Sequence, residues 1–313
     1  MGRWDIDDAA RSPERASTNT VERADTTLRD HDLTVTPLRD RVSPRSREPI
    51  DGDRGHSLTL PEGRDCEEVR DQGRTYHLRG SEVELLERAA QYRVTFTEDL
   101  KQDAGDAARF KDDLRSLKEQ GLIAERTVTR LRESAVADVV SVTSEGKALL
   151  DHHRDPEHNS GQVYYSGWVK PGEVWHDASL FLRMVRQVEA ELEQQGSRVR
   201  RVILDDELKG AAYRAVHEAR SSGEPDRYAR LAVAQTQGIP VDGDRLVFPD
   251  VRLEVHDRDG TVRTVDLELV TKDYHRGHLS GKAGAGFRMF GGGSAGSRGG
   301  TPQDPHHVGR LVR

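Results

Sequence analysis

The residues best placed to do chemistry lie in the C-terminal third of the chain. Pro249-Asp250 precedes Asp266-Leu267-Glu268, with Asp259-Gly260 between them as the turn of a hairpin. Alternate residues of a strand share a face, so Asp266 and Glu268 point the same way, and pairing about the turn carries Asp250 toward them. Three carboxylates converging on one strand edge make a hard-oxygen site suited to Mg²⁺ or Mn²⁺. An ion held there can polarise a phosphodiester and activate water. A nearby lysine stabilises the charge that develops. Lys272 shares the strand face if the strand continues, and Lys282 lies in the segment that follows. Glu189 or Glu207 could complete the set. The plain alternative is that these acids are a solvated strand face.

The elements that must position them are an α/β set. His176 to Gln195 carries Leu180, Met184, Val188 and Leu192 at helical spacing. Val199 to Leu204 reads as an apolar strand, and a helix follows from about Asp206 to Arg220. Leu246 to His256 and Val262 to Val270 are the two hairpin strands. Gly281 to Phe290 reads as a short, Gly-interrupted helix that bears Lys282.

A different pattern precedes this one. Order is expected from about Tyr76. Ser81-Glu82-Val83-Glu84 has the spacing of a capping box, ahead of a stripe of Leu85, Leu86, Ala89 and Ala90. Thr97 caps a second short helix through Leu100. Phe110, Leu114 and Leu117 mark a third that Gly121 ends. Leu122-Ile123-Ala124 opens a strand, and Thr127 to Leu131 and Val136 to Val142 are strand-like runs. Thr143-Ser144-Glu145-Gly146-Lys147 starts a helix holding Ala148, Leu149 and Leu150.

Helix, helix, helix, hairpin, helix, with LRSLKEQGLIAE and VTSEGKALL within it, resembles winged helix proteins. In that family the third helix enters the major groove and the hairpin flanks it. The resemblance implies double-stranded DNA as a partner, contacted by Arg109, Lys111, Arg115 and Lys118, with Arg126 and Arg130 near the hairpin. Asp112, Asp113 and Glu119 would repel phosphates, which keeps a purely protein-binding use open.

The order of helix, strand, Pro-Asp, hairpin, acid-x-acid and later lysine resembles the PD-(D/E)xK nuclease superfamily. With the upstream winged helix, the chain is similar to the replication-relaxation family of plasmid and mobile-element proteins. That resemblance implies an α+β chain: a winged helix-turn-helix domain, then a restriction-endonuclease-like α/β domain. It implies a role in replication, transfer or its control. It gives Asp250, and Asp266 or Glu268, as metal ligands and a lysine as their partner. The superfamily's strand lysine is replaced by Glu268 or Val270, depending on register, so Lys282 takes that place. Catalytic and metal expectations therefore rest on Asp250, Asp266, Glu268 and Lys282. A non-catalytic transcriptional regulator or partner-binding adaptor is the alternative.

Composition sets the frame. Of 313 residues, 34% are hydrophobic and 33% charged, too polar a mixture for one globule of this length. The expected division is a disordered arm (1–75), a winged helix domain (76–153), a linker (154–168), a nuclease-like domain (169–290) and a flexible Gly-rich tail (291–313). The net charge of -7 excludes a globally basic nucleic-acid coat but not a local basic face. The single cysteine, Cys66, rules out internal disulfides and cysteine-based zinc sites and fits a reducing cytoplasm. Met1 to Arg23 lacks an apolar stretch and no run of 18 apolar residues occurs, so neither a signal peptide nor a membrane span is expected. A homodimer is compatible with the sequence. His275 and His278 share a helical spacing but read as surface histidines, and Tyr164, Tyr165, Trp168 and Trp175 as packing between the two domains.

Overall fold

The computed structural model describes residues 58–130, 135–156, 160–270, 282 and 284–291, a mixture of helices and strands. A separate unit, Met1–Pro37, lies outside the described residues, as do Lys272, His275, His278 and the tail from 292. No helix among the described residues is long and apolar enough to cross a membrane.

Order starts well before residue 76. Leu58 bridges to Arg154, and the strands β1 (Glu67–Asp71) and β2 (Arg74–Leu78) pair in a hairpin. Its two turn residues, Gln72 and Gly73, have φ of 45° and 77°, the left-handed pair that a tight hairpin turn with the right twist requires. The expected arm is thus overturned for residues 58–75. The hairpin reads as polar because it buries only Val69, Tyr76 and Leu78.

Helix α1 (Gly80–Ala90) also departs from the expected cap. Glu82 rather than Glu84 reaches back, its Oε2 accepting the Arg79 N–H at 2.8 Å. Position 80 has to be glycine, since a Cβ there would meet the Glu62 carbonyl oxygen at 2.2 Å. The strand β3 (Thr95–Phe96) leads into α2 (Thr97–Asp103) and α3 (Phe110–Glu119). Then come β4 (Ile123–Arg130), β5 (Ala135–Val142) and α4 (Ser144–His152). The three strands form an antiparallel sheet in the order β3-β5-β4. Gly121 leaves α3 at φ 74°, and Thr143 Oγ1 caps α4 by accepting the Gly146 N–H at 3.1 Å.

The stretch expected as a linker is bonded into both halves. Gln162 fastens to the Val202 carbonyl and N–H at 2.9 and 2.8 Å. The Tyr164 hydroxyl donates to Glu87 at 2.8 Å, and the Tyr165 N–H to the Ala90 carbonyl at 2.7 Å. Trp168, Val169, Val174, Trp175 and Ala178 pack with Val94, Phe96 and Val139 beside the small sheet.

Helix α5 (Val174–Leu180) continues through a π-helical turn, Phe181–Val185, into α6 (Arg186–Gln195). Next come β6 (Arg198–Leu204), α7 (Asp205–Ser221), α8 (Asp226–Gln237) and a small hairpin, β7 (Val241–Asp242) and β8 (Arg245–Leu246). The strands β9 (Val251–His256), β10 (Val262–Val270) and β11 (Arg288–Gly291) complete a sheet ordered β11-β10-β9-β6. The single strand expected over 246–256 is broken before β9, where Pro249 has no N–H to give a ladder. The helix expected over 281–290 gives way at residue 288 to β11, parallel to β10, with Met289 and Phe290 buried.

One apolar core runs from Leu58 to Phe290 through both halves. A charged knot reinforces it. Arg88 of α1 pairs with Asp103 and Glu189, each at 3.0 Å, and Arg186 pairs with Asp103 at 2.6 Å. Leu78 is fully buried in this core. Leu78→Ala is therefore expected to cost about 2–5 kcal/mol in chemical denaturation. A change within about 0.5 kcal/mol, the surface value, would return this strand to a loose arm.

Candidate functional site

The hairpin register places Asp250 opposite Glu268. Leu267 pairs with Val251 and Asp266 with Arg252, so the next step along the ladder sets the two acids side by side. Their backbones confirm it. The Asp250 N–H donates to Glu268 Oε2 at 3.2 Å, and the Leu269 N–H donates to Asp250 Oδ2 at 2.8 Å. Lys282 Nζ donates to Glu268 Oε1, so the lysine chosen from sequence does reach the acid.

Asp266 shares this face but does not join the pair. Arg252 grips it twice, Nε to Oδ1 at 2.7 Å and Nη2 to Oδ2 at 2.8 Å. The same guanidinium donates to the Gln237 and Gly238 carbonyls at 2.7 and 2.9 Å, at the C-terminal end of α8. A buried arginine needs such partners for all its donors. Asp266 therefore holds Arg252 in place, which removes it from the expected metal set. Glu189 is bound to Arg88 and Arg186, and Glu207 to Arg201, so neither completes the site.

Residues that sequence reading did not single out surround the pair. His176 of α5 sits with Nε2 3.5 Å from Asp250 Oδ2 and Nδ1 3.2 Å from Asp177 Oδ1. Arg93, just after α1, reaches Asp177 at 2.9 Å, Asp205 at 3.2 Å and also Asp206. Lys209 binds Asp205 at 2.6 Å. Burial alone would lower the pKa of His176, but hydrogen bonds to Asp177 and Asp250 outweigh it and raise the value to about 10. Lys209 is likewise raised, burial being outweighed by Asp205. No local motif announces His176, which lies far from the hairpin in sequence.

The donor set can be tested against Mg²⁺ or Mn²⁺. Glu268 has 0% of its side chain exposed, one oxygen on Lys282 and the other on a backbone N–H. Asp250 carries His176 and a backbone N–H on the same oxygen. Among the described residues, no three His, Cys, Asp or Glu side chains group as a metal site. Both carboxylates are thus compensated by internal cations, and a hard ion would have to displace them to gain its oxygen ligands. The residues as arranged do not fit the ion.

The second candidate surface is α3. Phe110, Leu114 and Leu117 are buried, while Lys111, Arg115 and Lys118 are exposed. At 3.6 residues per turn these three cations fall within about 60° of arc, and Asp112 and Glu119 lie on the neighbouring strip. Arg115 is 3.3 Å from Asp112, and Lys118 is 2.6 Å from Glu125 of β4. Arg109 is half-buried at the start of α3, on a cleft of about 740 Å³ also lined by Arg88, Arg186 and Arg201. Arg126 is separated from the group. Its neighbour Glu125 faces α2 and α3 through Thr97 and Lys118, whereas Arg126 stacks on the Trp168 ring at 4.3 Å, on the opposite face of the sheet. The side chain of Arg130 lies outside the described residues.

No family model, no curated protein and no solved structure matches this chain.

Because the folded pKa of His176 stands above the ordinary 6.5, its charged form stabilises the fold. That contribution is complete below about pH 6.5 and is lost as pH rises toward 10. Stability measured by denaturant between these limits is expected to fall less steeply in His176→Gln than in the native chain. Equal slopes would show that the imidazolium does not bear on Asp177 and Asp250.

Proposed function

We propose that this chain is a DNA-binding protein whose helix-rich first half is a winged helix domain, docking on duplex DNA through α3. The observation that carries this reading is the stripe of Lys111, Arg115 and Lys118 on the exposed side of α3, beside a strip that holds Asp112 and Glu119. The ion pairs of Arg115 and Lys118 are surface pairs, each worth about 0–1 kcal/mol, so phosphates can replace their partners at little cost. The β4–β5 hairpin beside α3, and the anchoring of α3 by Phe110, Leu114 and Leu117, supply the rigid frame such docking requires.

The second half is read as a restriction-endonuclease-like α/β fold. Support comes from the sheet β11-β10-β9-β6 and from Asp250, Glu268 and Lys282 meeting at the start of β9. Its charge-compensated carboxylates favour a non-catalytic use, in positioning or regulating the DNA-bound protein. The likeness to the replication-relaxation family supplies the biological setting: replication or transfer of a mobile element, or its control.

Binding to a random-sequence duplex, followed by fluorescence anisotropy across a salt series, tests the reading. Lys111→Ala/Arg115→Ala is expected to weaken binding and to flatten the log-log salt slope by about 0.9 for each phosphate no longer neutralised. Arg126→Ala, on the far face of the sheet, is expected to leave both unchanged. The reading fails if the double variant keeps native affinity and slope.

A further inference from the structure

We propose that His176 and Lys282 are built-in cations standing where a nuclease-like centre would hold a divalent ion, and that the native chain folds and functions with this centre closed to metal. The inference rests on the nuclease-like reading of the second half, and not on DNA binding by α3.

Three features carry it. The two carboxylates that should share an ion are adjacent, joined by the Asp250 N–H bond to Glu268. Each has a side-chain cation in contact, His176 on Asp250 and Lys282 on Glu268. Those cations come from separate elements, α5 and the segment before β11, so two independent parts of the fold converge to fill the same place. His176 is fixed from behind by Asp177, which is itself bound by Arg93. Around the pair, four cationic side chains (Arg93, His176, Lys209, Lys282) stand against five carboxylates (Asp177, Asp205, Asp206, Asp250, Glu268) among the described residues. A divalent ion brought into this near-balance has to expel a cation, and Glu268 has no exposed surface by which to begin the exchange.

Removing a built-in cation should therefore open a site that the native chain lacks. The probe is Mn²⁺ alone, without DNA, followed by calorimetry, by the EPR signal of the free ion and by thermal stabilisation of the full chain. The native protein is expected to show no stoichiometric site. His176→Ala is expected to gain a site for one Mn²⁺ per chain, which the native chain lacks, and with it ion-dependent thermal stability. His176→Ala/Asp250→Asn is expected to lose both. If His176→Ala does not fold, His176→Gln removes the charge with less loss of volume, and the measurement on the native chain stands regardless. A stoichiometric Mn²⁺ site in the native chain that Asp250→Asn abolishes overturns the proposal, and so does a folded histidine variant with no gain. Because no DNA is present, either result is independent of whether α3 binds a duplex.

Discussion

Arg93, between α1 and β3, ties the first half of the molecule to the starts of α5 and α7. It leaves the end of α1 and inserts its guanidinium among Asp177, Asp205 and Asp206, at the starts of α5 and α7. Burial alone would lower its pKa, yet those three carboxylates raise it, so the charge persists where water is scarce. With three carboxylates about it, the guanidinium keeps a partner even when one of them is lost. The Arg88–Asp103–Arg186–Glu189 knot repeats the device on the other side of α1. Together with the apolar core shared from Leu58 to Phe290, these ties make the two halves one mechanical body.

The same electrostatics decide what the C-terminal sheet can do. A carboxylate with no exposed surface must have a partner, because an isolated charge in that environment costs far more than any single contact returns. Catalytic centres satisfy this requirement with a metal ion or a poised water. Here Lys282, His176 and two backbone N–H groups satisfy it from within. The carboxylate pair is thus neutralised by side chains of the protein itself. Asp266, on the same strand face as Glu268, is likewise committed internally, to Arg252 and so to the junction between α8 and β9.

What was legible in sequence followed from local rules. The α3 stripe could be read because Phe110, Leu114 and Leu117 repeat at helical spacing and Gly121 supplies the left-handed exit. The pairing of Asp250 with Glu268 could be read because the Asp259-Gly260 turn fixes a ladder whose period is two. Three things could not be read. The hairpin β1–β2 has too few apolar residues to stand out, and is fixed by burial of Val69, Tyr76 and Leu78 under the rest of the fold. His176 and Arg93 reach the site only because distant helices are packed together, which no spacing rule encodes. The fate of Asp266 depends on Arg252, whose remaining donors require the end of α8, a helix that the sequence reading lacks.

Buried ion clusters are weak contributors to net stability, since desolvation consumes most of the Coulombic gain. Their value lies in discrimination: an alternative packing that leaves Arg93, Arg252 or Glu268 unpaired is strongly penalised, whereas an apolar substitute would tolerate a shifted register. In the four-stranded sheet this matters most at β10, where a slip of one residue would turn Asp266 and Glu268 to the other face and strand both Arg252 and Lys282. The charged pairs therefore favour the same register as the apolar residues of the hairpin. A metal entering between Asp250 and Glu268 would have to break the contacts of His176 or Lys282 that accompany this register.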